Sequence, residues 1–235
     1  MKIITRTAMA LMIFSIVTLR ALAGPYPPAA GQTGSTAIFM DDAAFIAWAT
    51  GWQNYIPGEA VTSTWQDPQK ALGPAEGTSF DIMSLGRGGE ITLTFDQPIR
   101  NGPDWDFAVF ENSFSDTFLE LAYVEVSSDG ETFIRFDNDA LTPNPVGAFG
   151  STDPTDIHGF GGKYRQAYGT PFDLGDLATK DEVLSGAVQL HRITHVKFVD
   201  IIGDGSDVDT SGDAVSYTHL TLPTSAVAWW GRGGR

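Results

Sequence analysis

Residues 90–95 read EITLTF and residues 121–127 read LAYVEVS. In the first, Ile91, Leu93 and Phe95 alternate with Thr92 and Thr94, the period-two pattern of a half-buried strand. In the second, Ala122, Val124 and Val126 share one face, the expected core face, and Leu121, Tyr123, Glu125 and Ser127 share the other. Working outward, Gly88-Gly89 and Asn101-Gly102-Pro103 are turn signals. The latter leads into residues 106–111, DFAVFE, where Phe107 and Val109 oppose Ala108 and Phe110. Asp129-Gly130 marks a hairpin into residues 132–136, where Phe133 and Arg135 alternate with Ile134 and Phe136. Residues 193–202, ITHVKFVDII, are the last clear strand, with Thr194, Val196, Phe198 and Asp200 on one face. Short strands separated by turns, with few helical patterns, predict an all-β domain, a sandwich or jelly roll.

Two short helices are expected beside the strands. Asp41-Asp42 precede residues 43–50, AAFIAWAT, with Phe45, Ile46 and Ala49 at helical spacing and Gly51 as the stop. A second short helix is expected at residues 68–72. Residues 137–175 are rich in Gly, Pro, Asn and Asp, too long a stretch for a structureless loop in a compact domain. Tyr164, Tyr168 and Phe172 within it predict that part of it packs.

The two ends differ from the middle. Lys2 and Arg6 precede an apolar run at residues 8–19, broken only by Ser15 and Thr18, and Ala21-Leu22-Ala23 then offers a small-x-small cleavage pattern before Gly24. That is a secretory signal at residues 1–23, followed by an extended arm at residues 24–37. The run makes ~18 Å of helix, short of a bilayer core of ~30 Å. The protein is therefore expected to be secreted or on the cell surface, exported across a Gram-negative type envelope. Residues 215–224, VSYTHLTLPT, are what the codons GTC TCT TAT ACA CAT CTG ACG CTG CCG ACG encode, which resembles a transposase adapter of sequencing libraries. Residues 215–235 are thus expected to be foreign, leaving one β domain at residues 38–214.

The chain has 235 residues, 29 acidic against 14 basic side chains, and no Cys. No disulfide framework, thiolate metal site or Cys nucleophile is possible. The basic residues of the ends are Lys2, Arg6, Arg20, Arg232 and Arg235. Without them, nine basic side chains face 29 acidic ones, a net charge of −20 against −15 for the whole chain. Such a surface repels polyanions, so nucleic acid is not an expected partner.

The blocks SLGRGGEITLTFDQPIRNG, DFAVFEN, AYVEVSSDGETFIRF, GKYRQAYGTPFDL and ITHVKFVDIIGDGS resemble those of exported bacterial cell-surface proteins associated with PEP-CTERM sorting signals. The upstream stretch WATGWQNYIPGEAVTSTWQDPQKALGPAEGTSFDIMSLG is similar to theirs as well, so the resemblance spans residues 38–213. It implies an eight-stranded, galactose-binding-like sandwich. Such proteins continue into a final strand, a Pro-Glu-Pro signal, an apolar helix and a basic end. This chain shows none of these, so the sandwich is expected to lack its last strand and membrane anchoring would need a signal not present here. The resemblance implies no particular reaction.

Several residue groups are candidates for chemistry. Asp204, Asp207, Asp209, Ser211 and Asp213 lie in an acidic run, DGSDVDTSGD, whose alternating oxygens and Gly212 suit a Ca²⁺ loop. Position twelve of an EF-hand counted from Asp207 is Thr218, which supplies no bidentate acid. Asp and Ser are also ordinary turn residues. Glu111-Asn112, closing DFAVFEN, could ligate Ca²⁺ or accept sugar hydroxyls, or form a turn with an exposed Glu. Trp48, Trp52, Tyr55, Trp65 and Trp105 could stack on sugar rings or fill the core, and Trp105, beside a turn, is the best exposed candidate. His191 and His195 are four apart on a strand pattern and do not converge on a metal. No HExxH, GxSxG or P-loop occurs. The expected function is a non-catalytic surface or matrix protein that binds extracellular polysaccharide, with structural calcium. The alternatives are a secreted glycan-active hydrolase using a carboxylate pair and a purely structural envelope component.

Overall fold

The computed structural model describes residues 23–78, 80, 82–142, 146, 150–216 and the backbone of 223–230. The expected export signal at residues 1–23 lies outside the described residues except for Ala23, as does most of the adapter-like stretch. The strands in chain order are β1 (Ile38–Phe39), β2 (Phe45–Trp48), β3 (Gly51–Ile56), β4 (Met83–Ser84), β5 (Glu90–Ile99), β6 (Phe107–Glu111), β7 (Ala122–Ser127) and β8 (Ile134–Arg135). They continue as β9 (Asp139–Ala140), β10 (Ile157–His158), β11 (Tyr168–Phe172), β12 (Ile193–Asp200), β13 (Asp204–Val208), β14 (Ala214–Ser216) and β15 (Pro223–Trp230).

The alternating patterns become two antiparallel sheets packed as a sandwich. One has the order β1-β11-β6-β15-β2, with β4 paired to β15, and the other β3-β5-β12-β7-β8. In the second sheet the register sets Val196 opposite Leu93 on one side and Val126 on the other. These residues face the inter-sheet core with Ile91, Val124 and Phe198, opposite Phe107 and Val109 of the first sheet. One residue along, the register sets Lys197 between Thr92 and Glu125, and Arg135 beyond Glu125. Lys197 and Arg135 both pair with Glu125, at 2.7 and 2.8 Å. That ladder compensates a buried carboxylate on the sheet's outer face.

Strand β6 is buried along its whole length and on both faces. Phe107 stacks on Phe172 at 5.2 Å in the inter-sheet core. Ala108 and Phe110 point the other way, where Phe110 meets Phe45 at 5.6 Å and Trp48 at 5.4 Å. A third cluster lies outside β7 and β12, around Leu121, Tyr123, Phe160, Ile201 and Val215.

One expectation is corrected. Residues 43–50 form no helix: β2 occupies Phe45–Trp48. A short apolar run fits either period, and packing of Phe45 and Trp48 on Phe110 favours the extended form. Asp42 still caps, accepting from the Ala44 N–H at 2.9 Å, but it caps a turn. Beside β6 lies a strand from within residues 215–235, the stretch expected to be foreign. The backbone of β15 pairs with β6 on one side and β2 on the other. A central strand has N–H and C=O groups on both edges, and each row requires a partner. The expected helix at residues 68–72 is a 3₁₀ turn at Pro68–Ala71, capped by the Asp67 carboxylate on the Gln69 N–H.

Phe107→Ala should cost ~3–5 kcal/mol in denaturant unfolding, because it empties the contact between the sheets. Phe80, 82% exposed, should change stability by less than about 0.5 kcal/mol when replaced by Ala. Equal effects of the two would contradict this packing.

Candidate functional site: a cleft beside Trp105

The turn ahead of β6 is tied down by one carboxylate. Asp106 Oδ1 accepts from the Gly102 N–H and Oδ2 from the Leu174 N–H, each at 2.7 Å, while its own N–H donates to Phe172 O at 2.8 Å. Burial pushes the Asp106 carboxyl up to about 6, against the two N–H donors, which hold it down. Asp106 thereby fixes Trp105, 38% exposed, between the turn and the segment that follows β11.

A cleft of about 430 Å³ opens beside Trp105. Its aromatic wall is Tyr26, from the N-terminal arm, stacked on His158 at 4.9 Å and 14°. The Tyr26 hydroxyl donates to Asp139, and that bond pushes the phenol up to about 12. Asp173 and Asp176 also line the cleft. Asp173 caps a 3₁₀ turn through the Gly175 N–H at 2.7 Å. Asp176 is pushed up by burial and by Asp173.

Lys163 lines the cleft and is itself buried, its ammonium donating to Ile157 O at 2.7 Å. Burial pulls its pKa down to about 8, with Asp153 acting the other way. Burial and the neighbouring Lys163 likewise lower His158. Thr170 of β11, 5% exposed, also faces the cleft, and its hydroxyl has no hydrogen-bond partner among the described residues. The cleft therefore combines aromatic faces, acceptors and a donor, the mix of a polar small-molecule or sugar site.

Trp105 alone of the sequence candidates lines this cleft. Glu111 and Asn112 sit at the far end of β6, ~16 Å of strand away. Both are buried, at 4% and 2% exposure, so the expected turn with an exposed Glu is corrected. The reason is the loop at Gly161-Gly162, which crosses the strand end so closely that a Cβ on Gly162 would lie 3.1 Å from Glu111 Cγ and 1.6 Å from Glu120 O. The Asn112 amide has no hydrogen-bond partner among the described residues.

The acidic run divides between strand and turn. Asp209 Oδ1 accepts from the Ser211 and Asp213 N–H groups and the Ser211 hydroxyl, and Oδ2 from the Ala140 N–H at 3.0 Å. Asp207 accepts from the Ile202 N–H at 2.9 Å. Asp204 accepts from the Ser206 N–H at 2.9 Å and lies 3.7 Å from Arg87. Ser211 and Asp213 share a hydrogen bond at 3.2 Å. These oxygens organise the β13–β14 turn. Among the described residues no group of three or more His, Asp or Glu is gathered as for a metal. His195 bonds Thr194 at 2.8 Å, and His191 is exposed beyond the strand.

Five cleft residues escaped the sequence reading, namely Tyr26, Lys163, Thr170, Asp173 and Asp176, while His158 was read there only as a structural or surface residue. Their spacing carries no motif. The one available signal was the aromatic clustering of residues 164–172, which predicted packing in this region. No protein-family model matches the chain, and no curated protein matches it.

Asp200 closes β12 and accepts from the Gly88 N–H at 3.0 Å. Burial pushes it up to about 8, with Asp207 adding to the shift and the Gly88 bond and Arg87 opposing it. The folded chain then holds a proton that the unfolded chain releases near pH 4, so stability falls as pH rises from about 4 to about 8. Asp200→Asn keeps an acceptor for Gly88 and removes this titration. Its thermal midpoint should exceed the parent's by several degrees at pH 8 and match it at pH 4. Parallel midpoint curves would contradict the assignment.

Proposed function

We propose that this is an exported, non-catalytic protein of the bacterial cell surface or extracellular matrix, and that the cleft beside Trp105 binds extracellular polysaccharide. The supporting observation is a partly exposed indole lining a cleft with polar groups, next to a turn tied down by a buried carboxylate. A sugar presents an apolar face to such a ring and hydroxyls to acceptors such as Asp173 and Asp176. The sandwich and the resemblance to PEP-CTERM-associated surface proteins support the same reading, with a jelly-roll, galactose-binding-like arrangement as its finer form. Calcium, if bound, plays a structural part at the acidic β13–β14 turn.

Binding of the exported protein to a panel of immobilised polysaccharides tests the reading. At least one should bind, and Trp105→Ala should weaken it about tenfold or more, ~1.4 kcal/mol. Binding unaffected by Trp105→Ala would move the site elsewhere. In the same preparation, added Ca²⁺ should raise the thermal midpoint and EDTA reverse the rise. No shift removes calcium from the proposal.

A second reading, a glycan-active hydrolase, would draw on Asp173 and Asp176, adjacent acids in the cleft of which one is pushed up. Release of reducing ends that disappears in Asp176→Asn would select it.

A further inference from the structure

The cleavage pattern of the export signal ends at Ala23, and Gly24 has a built seat. Its N–H donates to Thr155 Oγ1 at 2.7 Å. Two residues on, the Tyr26 N–H donates to Thr155 O at 3.0 Å. The approach admits only glycine: a Cβ at position 24 would lie 2.2 Å from Thr155 O and 2.3 Å from Asp156 Oδ1. With a Cα–Cβ bond of about 1.5 Å, the Asp156 carboxylate is within about 4 Å of the Gly24 Cα.

The seat is acidic. Asp153 accepts from the Thr155 hydroxyl at 2.8 Å, which orients that oxygen to accept from Gly24. Asp156 follows in the same turn, and no Lys, Arg or His among the described residues pairs with it. Burial and Asp153 push its carboxyl up, as for an acid lacking a cation. An amide at residue 24 gives this seat a hydrogen bond but no charge. A free amino terminus, cationic at neutral pH, supplies both.

The seat also matters to the cleft. Residues 24–26 run directly into the Tyr26 wall. The rest of the arm is held by Arg165 on Ala30 O at 2.8 Å and by the Thr36–Tyr164 hydroxyl pair at 2.7 Å.

We infer that the Thr155–Asp156 turn is the docking site for the chain's own processed amino terminus, so that export processing completes the wall of the cleft. The inference rests on the export reading above. An endopeptidase of the signal-peptidase class adds water across the Ala23–Gly24 amide. Ala23 departs as a carboxylate, and the Gly24 nitrogen becomes an ammonium that keeps its bond to Thr155 and gains Asp156 as counter-ion.

The test expresses the full chain in a Gram-negative host and reads the exported protein's terminus by intact mass. A second version inserts one Ala between residues 23 and 24, moving the ammonium by about 3.8 Å. Both are also made with Asp156→Asn. The parent should begin at Gly24. The insertion should lower the thermal midpoint by several degrees and make amide exchange in residues 24–36 about five- to tenfold faster. In Asp156→Asn the insertion should change far less. An exported chain that begins elsewhere overturns the inference, as does an insertion effect of equal size in both backgrounds. A chain that stays in the cell with residues 1–23 attached shows instead that the export reading has failed, and the inference falls with it.

Discussion

Strand β6 has no solvent-facing side, and the rest of the architecture answers to that constraint. Phe107 and Val109 must meet an apolar sheet, and the β5–β12–β7 ladder provides it. Ala108 and Phe110 must be covered on the opposite side, and β2 with its Phe45 and Trp48 does so. Both edges of β6 must be paired, and β11 and β15 take them. Burial of a strand on both faces excludes water from its backbone, so each of these demands is strict.

The two ends of β6 inherit its rigidity in different ways. At its start, Asp106 ties the backbone turn beside Trp105 to the segment after β11. At its end, the Gly161-Gly162 crossing closes over Glu111 and Asn112 and keeps them inside. One strand thus leads from a partly exposed tryptophan at one end to sealed polar residues at the other. The cleft is completed by chain from well outside the strand, with Tyr26 from the arm and His158 and Lys163 from the connection between β9 and β11.

The strand periodicities were legible because period two survives in any context with one buried face. Residues 90–95 and 121–127 announced both a strand and its core face, and residues 193–202 announced a strand. Residues 43–50 misled because a run of Ala, Phe, Ile and Trp closed by Thr50 satisfies helix and strand periods alike, and the choice depends on Phe110, sixty residues away. Trp105 was legible because a turn signal stands beside it. The other cleft residues were not, since their convergence is produced by the β11 register and the arm, and neither leaves a local pattern. The acidic run shows the converse. Its spacing suggested an ion loop, yet Asp207 and Asp209 accept backbone N–H groups that are invisible in sequence.

The proposal places ligand binding at the Trp105 cleft, and its rival among the sequence candidates is the acidic turn. Amide hydrogen exchange of the exported protein, alone and with saturating β-1,4-glucan or galactan oligomers, tests it most directly. Ligand should slow exchange in residues 24–36 and 168–176 together and leave residues 204–213 unchanged. Slowing confined to residues 204–213 would contradict the account.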